Sequence, residues 1–147
     1  WRPEAKAGFC GMTRTTGKCE LVKAALESIA YQVADIVRMM RSELPESLKQ
    51  LCADGAPVEN KYLMKFQSDI LGIPVVLPAN EAASAQGAAY MAGMKIGFYD
   101  KKSLFSGTHN RRLLPSMGGE IREEKYQGWK KAVEIFLTDE KGGKERR

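Results

Sequence analysis

Histidine is nearly absent from this chain, with His109 the only one, and the three cysteines are odd in number. Cys10, Cys19 and Cys52 fall at neither zinc-ligand nor Cys-x-x-Cys spacing, which argues against a metal centre and against a disulfide framework. A reducing cytoplasm suits such a chain. His109 stands in a polar turn with no Ser, Cys or paired carboxylate at a suggestive spacing, so it is not read as catalytic. No apolar run approaches the roughly 18 to 20 residues of a membrane helix, and no charged-then-apolar opening marks a signal peptide. The expectation is a soluble protein without a membrane partner. The formal charge of +5 is also thinner than it looks, because the excess gathers partly in Lys141 to Arg147 while acidic and basic residues mix elsewhere. With neither a basic helix face nor an aromatic stacking strip, nucleic acid is not an expected partner.

What is present is enough for one domain. A chain of 147 residues with 44% hydrophobic content can bury a core, and is too short for two domains of ordinary size. Ala7 to Met12 has the small and apolar residues of a buried strand, followed by the polar cluster Thr13 to Gly17. A long helix then carries Val22, Ala25, Leu26, Ile29, Val33, Ile36, Val37 and Met40 at helical period, with Thr16 as N-cap and Pro45 at the exit. One face of it is expected on a sheet. Leu48 to Ala53 reads as a short strand, Val58 to Leu71 as a helix closed by Gly72, and Ile73 to Leu77 as a strand buried on both faces. Glu81 to Ile96 is a small-residue helix, Arg112 to Pro115 an edge strand, and Ile121 to Leu137 an amphipathic helix with the stripe Tyr126, Trp129, Val133 and Phe136. This strand and helix alternation predicts parallel strands joined by crossovers. The domain is placed at residues 1–140, with 141–147 a frayed, charged tail.

The stretch Asp54-Gly55-Ala56-Pro57-Val58-Glu59-Asn60 sits where a strand hands over to a helix, the place where α/β sheets expose backbone groups to ligands. Taken alone, it is read first as an ordinary strand-to-helix turn in which Asn60 bonds its own backbone, ahead of a nucleotide site. Gly87-Ala88-Ala89 and Ala92-Gly93 place small residues at helical spacing for close packing, and Glu81 and Ser84 read as first-turn stabilisers. Glu27 and Gln32, polar positions on a mostly apolar helix, face either solvent or a cleft between domains. Lys130 and Lys131 read as a solvated face, Asp54 as a turn residue, and neither Asp54 nor Asp69 stands in a catalytic motif.

Three segments in order, ESIAYQ at Glu27 to Gln32, DGAPVENKYLMKFQSDILGIPVVLPANEAASAQGAAYMAGMKIG at Asp54 to Gly97, and GWKKAVE at Gly128 to Glu134, resemble the FGGY family of carbohydrate kinases. The resemblance runs from Trp1 to about Phe136 and is strongest to the branch that phosphorylates glycerol. It implies an α/β, actin-like or ribonuclease-H-like ATPase domain, of which this chain is the C-terminal portion, its two opening strands lying outside the chain. Because Trp1 is not an initiator Met and Trp-x-Pro lies past the middle of such kinases, a large N-terminal part is expected to be missing. The family motif Asp-Gly-Gly-x-x-x-Asn would put Gly55, Ala56 and Asn60 at the nucleotide, with Ala56 at the position of the second glycine. If that position needs a positive φ, alanine there would cost on the order of 1 kcal/mol. The implied reaction is transfer of the ATP γ-phosphoryl to glycerol with Mg²⁺, giving glycerol 3-phosphate. The catalytic base, the phosphate hairpin and the metal ligands would lie outside the chain, which by itself would be inactive. Self-association into a homo-oligomer follows from the resemblance too. Phosphorylation of a pentulose, xylulose or ribulose, and a non-catalytic scaffold of the same fold, remain the alternatives.

Overall fold

The computed structural model describes residues 6–78, 83–100 and 110–138. Glu81, His109 and the tail from 141 lie outside the described residues. Helix α1 spans Lys18–Glu43, strand β1 Leu51–Cys52, helix α2 Lys61–Leu71, strand β2 Val75–Leu77, helix α3 Ala83–Lys95, strand β3 Arg111–Leu113 and helix α4 Gly119–Thr138.

The sheet runs β1-β2-β3, with β1 parallel to β2 and β3 antiparallel to it, so the sheet is mixed where a parallel one was expected. Leu51 pairs with Val75 and Cys52 with Val76, and bonds from Leu51 N to Pro74 O and from Ala53 N to Val76 O extend the ladder. The central strand is buried throughout, as its β-branched composition requires. Ala7 to Met12 forms no strand; these residues are exposed and without secondary structure. A strand needs a neighbour for its backbone groups, and the described residues offer this segment none.

Helix α1 starts one residue later than expected. Gly17 is its N-cap, and Glu20 reaches back to accept the Gly17 N–H at 2.9 Å, while the Thr16 hydroxyl accepts from Thr13 N at 2.8 Å instead. The buried face of α1 is Ala30, Tyr31, Ala34 and Val37, which packs on α2 rather than on the sheet. Val22, Ile29, Ile36 and Met40 of the expected stripe are exposed. The helix carries two apolar faces, and periodicity does not say which one α2 will cover.

Helix α2 is the centre of the molecule, buried from Leu63 to Leu71 except at Lys65. Its polar residues are satisfied internally. Gln67 Nε2 donates to Ala30 O, and the Ser68 hydroxyl lies within reach of Ile73 O (3.0 Å) and Leu113 O (2.9 Å). Asp69 Oδ1 accepts from Lys65 Nζ (2.7 Å), Ser116 N (2.6 Å) and Met117 N (3.1 Å), tying α2 to the loop before α4. Gly72 ends the helix at φ +68°, and a Cβ there would also sit 2.5 Å from the Arg122 guanidinium.

Helix α4 presents the expected stripe, with Tyr126 buried and Trp129, Val133 and Phe136 half-buried. It is fastened to α1 by one carboxylate: Asp35 accepts from the Tyr126 hydroxyl at 2.5 Å and from Trp129 Nε1 at 2.8 Å. Tyr31 stacks on Trp129 at 5.3 Å and meets Phe66 edge-on at 5.4 Å, so one ring joins α1, α2 and α4.

Candidate functional site

The Asp54 to Asn60 segment leaves the C-terminal end of β1 and turns sharply at Gly55, whose φ of +90° is in the region that glycine alone enters freely. A Cβ there would meet only Pro57 Cδ at 3.8 Å, so conformation rather than space demands glycine. Ala56 opens a 3₁₀ segment, Ala56–Glu59, with Pro57 in its first turn, where a missing N–H removes no bond. No residue other than glycine has a positive φ among those described. The expected strain at Ala56 is therefore not there: the left-handed position falls one residue earlier.

The helix expected from Val58 is split in two. Val58 N donates to Gly55 O and Asn60 N to Pro57 O, closing the 3₁₀ turn, after which Asn60 becomes the N-cap of α2. Its Oδ1 accepts from Leu63 N at 3.0 Å. This is the backbone bond that the local reading of the sequence anticipated, and it uses only the acceptor of the amide. Nδ2 keeps both hydrogens for another partner, on a half-buried side chain beside the exposed Gly55 and Ala56. The turn thus offers a small-residue surface, a free amide donor and the Lys61 and Tyr62 N–H groups of the first turn of α2, Leu63 N being taken by Asn60. Those features suit a polar, planar ligand edge.

The three separated sequence segments meet in space. Tyr62, two residues beyond Asn60, donates its hydroxyl to Glu27, and burial followed by that bond pushes its pKa well above the ordinary phenol range. Lys23 lies 3.8 Å from the same carboxylate. Tyr31 in the first segment stacks on Trp129 in the last. Glu27 and Gln32 line an open cleft of about 800 Å³, bounded by residues 6–10, α1 and α4 and walled by Phe9, Tyr31, Trp129 and Phe136. This cleft lies within the one domain and not between domains; Gln32 on its rim is exposed, whereas Glu27 is half-buried. Gly93 packs under the Tyr99 ring, whereas Gly87, Ala88 and Ala89 are open to solvent, so only part of the small-residue helix serves packing. Lys130 and Lys131 are exposed as expected.

Asp69 is no catalyst in waiting. Burial raises its pKa, but bonds from Lys65 and from the Ser116 and Met117 amides outweigh that and hold the carboxyl below its usual range. Sequence reading overlooked Asp35 and Arg122, whose roles arise from partners some ninety and fifty residues away. No local signal marks them. Among the described residues no group of three His, Cys, Asp or Glu side chains is placed to hold a metal, and no helix is long and apolar enough to cross a membrane.

Comparison with known proteins identifies what this arrangement resembles. The model of the FGGY family of carbohydrate kinases, C-terminal domain, matches residues 1–96. A glycerol kinase from Carboxydothermus hydrogenoformans is 44% identical over 135 residues, covering 90% of this chain, and one from Natranaerobius thermophilus is 42% identical over 135 residues, covering 91%. The chain spans 27% of the length of each. Among solved structures, Plasmodium falciparum glycerol kinase with ADP superposes with a TM-score of 0.82 at 34% identity, over 93% of this chain and 28% of that one. Rhodospirillum rubrum xylulose kinase gives 0.73 at 22% identity, over 90% and 28%, a likeness of fold alone.

Proposed function

The chain belongs to the FGGY family of carbohydrate kinases, and we propose that it forms the nucleotide-binding C-terminal portion of an enzyme that transfers the ATP γ-phosphoryl to glycerol. The observation carrying this reading is the 44% identity to a glycerol kinase over 135 residues, 90% of this chain. The relative whose structure holds ADP supports it. In this reading Gly55 and Ala56 let the backbone approach the adenine, and Asn60 donates from Nδ2 while its Oδ1 remains committed to Leu63 N.

In the reaction the bond between the γ-phosphorus and the ADP oxygen breaks and one to a glycerol hydroxyl oxygen forms, the hydroxyl proton passing to a base. Mg²⁺, when bound, would supply charge neutralisation at the phosphates. That base and the metal's ligands are assigned to residues beyond those described here. This chain's own contribution is to hold the nucleotide and to supply one wall of a cleft whose closure excludes water. Its site of action is the cytoplasm, and a homo-oligomer is the assembly proposed for the complete enzyme.

The test separates capping from binding. Asn60→Asp keeps the helix cap but replaces the Nδ2 donors with a carboxylate oxygen, so the chain should keep its thermal stability and lose ATP affinity by about tenfold or more. A chimera in which this chain replaces the matching segment of the Carboxydothermus glycerol kinase should phosphorylate glycerol in preference to xylulose and ribulose. Pentulose turnover alone would change the acceptor. No ATP binding by chain or chimera would overturn the proposal in favour of a non-catalytic scaffold.

A further inference from the structure

We propose that a second site, at the opposite end of α2 from Asn60, binds a small phosphate-bearing anion. A pocket of about 300 Å³ opens there, lined by Arg38, Arg41 and Arg122 together with Leu71, Gly119 and Glu123. Eleven residues of helix separate it from Asn60, about 16 Å at the rise of an α-helix.

The charge in this pocket is not balanced. Arg38 stacks on the Tyr126 ring at 3.5 Å and pairs with Glu123 at 2.8 Å, so those two charges offset each other. Among the described residues Arg41 and Arg122 have no carboxylate partner. Arg122 donates from Nε to Asp69 O (2.7 Å) and from Nη2 to Met117 O (2.8 Å), and Arg41 makes one long bond from Nη2 to Leu71 O (3.4 Å). A purely structural role, closing two carbonyls at the end of α2 and one in the loop before α4, accounts for these three contacts. It leaves the remaining N–H groups of two guanidinium forks, and two positive charges, facing one cavity.

Geometry adds to charge. Gly72 has no side chain where a Cβ would stand 2.5 Å from Arg122 Nη1, so the glycine that ends α2 also makes the room in which the guanidinium lies. The first turn of the 20-residue α4 begins at Gly119 on the pocket wall, and its unpaired amides carry the positive end of the helix dipole. Planar guanidinium forks bind tetrahedral oxyanions in pairs of parallel bonds, which a carboxylate-free arginine pair is suited to do for phosphate.

The chain would be titrated with inorganic phosphate, and separately with glycerol 3-phosphate, at ionic strength held constant with chloride, while the Gly72, Gly119 and Arg122 amide resonances are followed. Saturable shifts confined to those amides are expected with at least one probe. Arg41→Glu, whose only lost contact is the 3.4 Å bond, should weaken binding by about tenfold or more with the circular dichroism unchanged. Lys131→Glu makes the same charge change on the exposed face of α4 and should leave affinity alone. Absence of saturation with both probes, or equal weakening in the two variants, would overturn the proposal.

Discussion

Replacing Asp69 by Asn removes one charge from the junction that holds α2 to the loop before α4. In the native chain Asp69 Oδ1 is the common acceptor for Lys65 Nζ and for the Ser116 and Met117 amides, and Lys65 also reaches Leu114 O and the Ser116 hydroxyl. Asparagine can still offer an oxygen to the two amides, so what disappears is the charge assistance and the ion pair, a cost of about 1 to 2 kcal/mol. Alanine would strand two amides and take from Lys65 its carboxylate, leaving it Leu114 O and the Ser116 hydroxyl, at about 2 to 4 kcal/mol, a large share of the roughly 5 to 15 kcal/mol by which a domain is stable. Asparagine is therefore the readable variant. Because folding lowers the Asp69 pKa, the unfolded chain takes up the proton first; the stabilisation is complete above about pH 4 and is lost as pH falls through the lower folded value. Urea unfolding followed by circular dichroism, at neutral pH and at steps below it, should show the wild type more stable at neutrality and the two proteins converging in acid. Equal stability at neutral pH, or a gap that persists unchanged into strong acid, would refute the reasoning.

Three further outcomes follow from local geometry. Ala56→Gly should lower stability by about 0.5 to 1 kcal/mol, because a residue without positive φ gains only unfolded-state freedom from glycine; a rise in melting temperature would mean that Ala56 is strained after all. Spectrophotometric titration should find Tyr31 and Tyr126 still protonated at about pH 11, since burial pushes both up to about 12, with Asp35 adding to the effect at Tyr126. A raised folded value means that their contribution is intact below the ordinary phenol pKa near 10 and is lost as pH climbs through 12, so alkaline unfolding should set in later in Tyr126→Phe.

Much of the candidate site was legible because its determinants are local. Glycine at the sharp turn, proline in the first turn of the 3₁₀ segment and asparagine at a helix start act through their own backbone geometry, so their order along the chain announces the turn. The buried strand Val75 to Leu77 and the stripe of α4 declared themselves by composition and period for the same reason. What the residues could not say was where the left-handed φ falls, since Gly55 and Ala56 are adjacent and only the path of the chain into the 3₁₀ turn assigns it to Gly55.

The sequence by itself determined the order of helices and strands from α1 onward, the family, and the turn from Gly55 to Asn60, each through short-range pattern or matched segments. Tertiary structure decided which apolar face of α1 is buried, because the choice belongs to α2 and not to the period of α1. It decided that Ala7 to Met12 stays out of the sheet, since a strand exists only beside a partner. It also decided that Asp35, Asp69 and the three arginines matter, because their partners lie far along the chain and meet them only when the helices pack.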